Sequence, residues 1–151
     1  MSYQVTVNRR GKPMPFRRRL AARLSVMLAS ALSRLSPAAI SRSLQFIRRH
    51  SKPATYAEAS ASQAAVVASS IACARQEGCL QRSLATVLLC RMKGTWPTWC
   101  IGVRARPPFG AHAWIEAEGR AVGDVESGYL RKLITVGHPD DDHPRAAGFR
   151  T

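Results

Sequence analysis

Gly78 and Gly94 bracket the segment that most constrains the fold. Between them Leu80, Leu84, Val87 and Leu88 recur at helical spacing, which predicts a helix that begins at Cys79 and stops at Gly94. Beyond Gly94, Trp99-Cys-Ile-Gly-Val-Arg and Ala111-His-Ala-Trp-Ile-Glu read as strands. Arg104-Ala-Arg-Pro-Pro-Phe-Gly separates them and is a loop by composition. A second turn falls at Ala117-Glu-Gly. The pattern predicts an α+β chain in which this helix packs on an antiparallel sheet.

The same segments place three reactive side chains in order. Cys79 falls in the first turn of the helix, where unpaired backbone N–H groups and the helix dipole favour negative charge and hence a thiolate, the reactive form. Those N–H groups also suit the oxyanion of a tetrahedral intermediate. His112 lies on the second strand and Asp124 beyond the turn. A thiol, an imidazole and a carboxylate supply an attacker, a base and a group that orients the base. With 117–119 as a three-residue loop and Gly119 in the left-handed region, Glu116 faces Arg120, Trp114 faces Val122 and His112 faces Asp124. Directly opposed residues have Cβ atoms roughly 4.5–5.5 Å apart on one side of the sheet. A two-residue loop at 118–119 would put Asp124 on the wrong face, so this reading commits to a hairpin register.

Around this set lie candidates for the substrate groove. Trp114 shares the expected face of His112, Phe109 adjoins Gly110, and Ser83 follows one helical turn after Cys79. Each has a plainer reading: Trp96, Trp99 and Trp114 as core, and Ser83 as a local hydrogen bond. Arg82 reads as a helix anchor. Cys90 and Cys100 read as core, and Cys73 lies near the end of an Ala-rich helix. His138 and His143 beside Asp140, Asp141 and Asp142 read as a solvated turn rather than a metal site.

Residues 1–57 contain no Asp or Glu, within a chain of 151 residues and formal charge +14. From Phe16 to Leu35 the residues Phe16, Leu20, Leu24, Met27, Leu28, Ala31 and Leu35 form one apolar stripe, expected to pack on the core while Arg17, Arg18, Arg19, Arg23 and Arg34 stay solvated. The arginines exclude a membrane-spanning helix, which needs about 20 mainly apolar residues. Peripheral contact with an anionic membrane, or docking to a protein, are the further readings of this basic region. Nucleic acid is not expected, because no recognition motif is present and aromatic residues are sparse among the basic ones. Ser36-Pro37 starts a second helix with Ile40, Leu44 and Ile47 on its apolar face. Thr55-Tyr-Ala-Glu58 matches a capping box for an Ala-rich helix running to about Ala74, with Val66, Val67 and Ile71 buried. Tyr3-Gln-Val-Thr-Val reads as a short strand and Arg131-Lys-Leu-Ile-Thr-Val as a last one.

The length allows one domain with a real core, and 46% hydrophobic residues fit a globular protein. Four cysteines without Cys-x-x-Cys spacing argue against zinc, and no signal peptide is evident, so a cytoplasmic, reduced setting is expected. The organisation expected is a basic, mainly helical region over 1–52 and a core over 53–151.

Three motifs carry a family resemblance. Gly78-Cys-Leu-Gln-Arg-Ser-Leu-Ala, Gly94-Thr-Trp-Pro-Thr-Trp-Cys-Ile-Gly-Val-Arg and Pro108-Phe-Gly-Ala-His-Ala-Trp-Ile-Glu-Ala-Glu-Gly-Arg-Ala-Val-Gly-Asp resemble the leader peptidase of lasso-peptide biosynthesis. The resemblance covers roughly residues 53–136. It implies a transglutaminase-like (papain-like) fold and a triad formed by Cys79, His112 and Asp124. It implies a peptidase that removes the leader of a ribosomally made precursor peptide, with no metal or cofactor. The chain resembles the stand-alone form, which implies a separate leader-binding protein and an ATP-dependent lasso cyclase as partners. Transglutaminase-type acyl transfer to an amine, and a non-catalytic basic adaptor, are the alternatives.

Overall fold

A computed structural model describes residues 14–75, 78–123 and 129–137. The element order is α1 (Phe16–Leu32), α2 (Pro37–Ile47), β1 (Lys52–Pro53), α3 (Tyr56–Ser69), α4 (Ile71–Ala74), α5 (Cys79–Met92), β2 (Thr95–Trp96), β3 (Thr98–Arg104), β4 (Ala111–Ala117), β5 (Arg120–Ala121) and β6 (Leu130–Val136). The class is α+β, as the segment pattern requires: helices pack on an antiparallel sheet of order β5-β4-β3-β6, and β1 pairs with β2 in parallel. The expected strand at Tyr3–Val7 lies outside the described residues.

α5 is the central element. Every residue from Ser83 to Cys90 is buried. α1 and α3 cover it on one side, and the sheet covers it on the other. Leu84, Val87 and Leu88 of α5 share one apolar cluster with Trp99, Ile115, Ala117, Val122 and Val136. Burying a Leu or Val side chain is worth roughly 1.5–3 kcal/mol, so this cluster fixes the helix on the sheet. Trp96 donates its indole N–H to the Val136 carbonyl at 3.0 Å and ties the chain after α5 to the last strand.

The caps follow the sequence. Ser36 accepts from the Ala39 N–H with Pro37 at the first helical position, and Thr55 and Glu58 form a reciprocal capping box. Gly94 ends α5 at φ +83, a conformation that costs glycine little. Two expectations are corrected. The Ala-rich helix does not run unbroken to Ala74: Ser70 is extended (φ −147, ψ 124) and restarts the chain as α4 by accepting from the Cys73 N–H. Ile71, expected to be buried, is 79% exposed as a result.

The larger correction concerns α1. It packs through its small residues, Ala22, Ser25 and Ala29, and not through its large apolar stripe. Small side chains let two backbones approach closely, and the Ser25 hydroxyl donates to the Ala22 carbonyl, so its burial leaves no unmet donor. Phe16, Leu20, Leu24, Met27 and Leu28 are between 43% and 79% exposed.

Candidate functional site

Gly78 is the N-cap of α5 and Cys79 its first residue. A glycine carries no side-chain cap, so the free N–H groups of that first turn keep their donors open beside a half-buried thiol. Position 78 admits no larger residue: a Cβ there would stand 2.0 Å from the Ala72 carbonyl oxygen. Arg82, one turn on, donates to the carbonyls of Cys73 (3.1 Å) and Arg75 (3.3 Å) and locks the end of α4 to the head of α5. It is the anchor expected, through carbonyls in place of a salt bridge. Cys73 is fully buried, and burial pushes its thiol above the ordinary value.

His112 sits on β4, opposite Gly102 of β3. Ile115 and Ala117 of β4 join the core against α5, and alternation turns His112, Trp114 and Glu116 to the other face. His112 and Trp114 stack with centroids 6.1 Å apart and planes 17° apart. The Trp114 ring lies over Gly102, where a Cβ would come within 2.9 Å of it and 2.0 Å of the Arg131 carbonyl. Glu116 accepts from the Trp114 indole N–H at 2.9 Å and from Lys132 at 2.6 Å. On the same face, burial first and the Glu116 charge second push the Cys100 thiol up to about 12. The His112 pKa is lowered, chiefly because burial disfavours the imidazolium, and further by the charges of Arg104 and Arg82.

One observation links the first turn of α5 to His112: Arg82 is close enough for its charge to act on the imidazole. Trp99 of β3, paired with Ile115, donates its indole N–H to the Ser83 hydroxyl at 3.1 Å and ties α5 to the core face of the sheet. No direct hydrogen bond joins Cys79 to His112 among the described residues. Ser83 also donates to the Leu80 carbonyl at 2.9 Å and is 4% exposed, so its polar capacity is taken up inside the protein instead of lining a groove. Trp114, 3% exposed, is likewise a floor beneath His112 more than an open wall. Phe109, 73% exposed in the β3–β4 loop, presents its ring to solvent three positions before His112.

The hairpin register differs from the one expected. Glu116 pairs with Ala121 and Ala117 with Arg120, so the turn is the two-residue Glu118-Gly119, with φ of +54 and +73. Two positive φ values in succession give the turn twist that matches flanking strands, which outweighs the cost of a left-handed Glu. Val122 continues this register by donating to the Ile115 carbonyl at 2.9 Å. Gly123 then takes φ +88 under the Gln63 amide of α3, where a Cβ would approach Nε2 to 2.6 Å. The regular alternation that was to carry His112 onto Asp124 therefore ends before position 124. Asp124 itself lies outside the described residues, as do His138, His143 and the Asp140–Asp142 run. Gln63 and Arg104 were not singled out in the sequence, since nothing local links them to the site.

Among the described residues, no group of three or more His, Cys, Asp and Glu is arranged to hold a metal, and no helix is long and apolar enough to cross a membrane. A cysteine at the head of a buried helix, laid on an antiparallel sheet, is the core of papain-like proteins. Residues 22–135 match the family model of the transglutaminase-like superfamily, from within α1 to the end of the sheet, and the chain belongs to that superfamily. Its members are generally cysteine proteases or acyl transferases. No match was found to a curated protein or to a solved structure.

Proposed function

We propose that this protein is a cysteine peptidase that removes the leader from a ribosomally synthesised precursor peptide during lasso-peptide maturation. The position of Cys79 carries the reading: a half-buried thiol heads α5 beside uncapped backbone donors, in a fold whose members usually cleave or transfer acyl groups. The motifs around Cys79 and His112 supply the leader-peptidase specificity.

In this mechanism His112 takes the thiol proton of Cys79 as the sulfur attacks the scissile carbonyl at the leader–core junction. The first-turn N–H groups of α5 hold the oxyanion. His112 gives its proton to the leaving amine, and the peptide bond breaks to leave a thioester on Cys79. His112 then takes a proton from water, which attacks the thioester and restores the thiol. The motif resemblance, and not the hairpin register, gives Asp124 the part of holding the imidazole tautomer. Catalytic hydrogen bonds are often long without substrate, which accommodates the lack of a Cys79–His112 hydrogen bond among the described residues. A separate leader-binding protein delivers the substrate, and an ATP-dependent cyclase consumes the product.

The test is mass spectrometry of a precursor peptide incubated with the protein and its leader-binding partner, beside Cys79→Ala and His112→Ala. One cleavage, present in wild type and lost in both variants, is expected. Cleavage surviving in Cys79→Ala would sink the mechanism, and a product carrying an added amine would make the protein an acyl transferase.

A further inference from the structure

α1 carries two faces, and the core uses only the small one. The other presents Phe16, Leu20, Leu24, Met27 and Leu28 to solvent along the helix, at i, i+4, i+8, i+11 and i+12. Isolated exposed apolar residues are ordinary, but a contiguous stripe marks an interaction surface. The stripe has basic margins. Arg17, Arg19 and Arg23 are exposed beside it, and Phe16, Arg19, Leu20 and Arg23 together line a shallow apolar cleft. The first acidic residue of the chain is Glu58, and the ion pairs among the described residues lie far along the chain at Glu116–Lys132 and Glu118–Arg120.

We infer that α1 lies in the surface of an anionic lipid bilayer, its apolar stripe in the acyl boundary and its arginines on the headgroups. An amphipathic helix with aromatic and aliphatic residues on one face and basic residues on the other binds this way. Charge selects this occupant over a second copy of the chain, because stacking two α1 faces would bring Arg19 and Arg23 against like charge with no carboxylate between them. It also selects anionic over neutral lipid. The length of α1 and its arginines make the contact peripheral, consistent with the lack of a spanning helix among the described residues.

The experiment is co-sedimentation of the full chain with vesicles of phosphatidylcholine and phosphatidylglycerol in equal parts, against phosphatidylcholine alone. Binding to the anionic vesicles and none to the neutral ones is expected. Arg19→Gln with Arg23→Gln is expected to weaken binding by roughly 25-fold, since each basic residue near such a surface is worth about fivefold. Phe16→Ser with Met27→Ser is expected to weaken it at least tenfold while the unfolding midpoint stays put, because both side chains are exposed. Binding that survives the apolar substitutions would be charge alone and would overturn the inference. So would failure to bind anionic vesicles, or a dimer in sedimentation that the same substitutions dissolve.

Discussion

His112 titrates below the ordinary imidazole value of about 6.5, because burial disfavours its charged form and Arg104 and Arg82 repel it. The unfolded chain therefore takes up this proton at a higher pH than the native protein does. Stability rises with pH through that window and falls as pH drops below about 6.5. Arg104→Gln removes one repelling charge, so the imidazole midpoint is expected to move upward. A histidine-selective NMR titration, assigned with His112→Gln, reads the shift, and the acid limb of kcat/KM is expected to move the same way. An unmoved midpoint would leave burial and Arg82 as the causes. Ser83 gives a second residue-scale expectation. Ser83→Ala strands the buried Trp99 indole N–H and is expected to cost about 1–3 kcal/mol in denaturant unfolding.

At the scale of elements, α1 inverts the usual rule that large apolar residues face inward. Ala29 is buried against its neighbours and Leu28 is 55% exposed. Ala29→Leu is therefore expected to destabilise by about 1–3 kcal/mol through overpacking, whereas Leu28→Ser stays within about 0.5 kcal/mol. The reverse order in chemical denaturation would return the stripe to the core. The β4–β5 hairpin offers a gain. Glu118 holds φ +54 where Asn is better tolerated, so Glu118→Asn makes the favoured Asn-Gly turn and is expected to add up to about 1 kcal/mol.

Across the whole molecule the four thiols separate by burial. Cys73, Cys90 and Cys100 are fully buried, and burial raises the pKa of each; Cys79 is half-buried. Limited iodoacetamide treatment of the native protein is expected to label Cys79 alone, with the other three labelled only on unfolding. Mass mapping of the labelled peptides checks this. Equal labelling of Cys73 would mean that α4 opens from the head of α5, against the Arg82 bridge to Cys73 and Arg75.

What the sequence determined by itself is what short-range rules govern. Helical spacing and Gly94 defined α5, the capping box and Ser36-Pro37 set two helix starts, and alternating strands gave β3, β4 and β6. The same rules put Cys79 at the head of its helix and His112 beside Trp114 on one face of β4, because each needs only a local period. Tertiary structure decided what depends on partners distant in the chain. Which face of α1 is buried was set by the fit of Ala22, Ser25 and Ala29 to their neighbours, where close approach outweighed the transfer of larger side chains. The register of the β4–β5 hairpin followed from turn twist, a choice that composition left open between two and three residues. The lowered His112 pKa required Arg82 and Arg104 to meet it in space, since electrostatic coupling follows distance and not sequence.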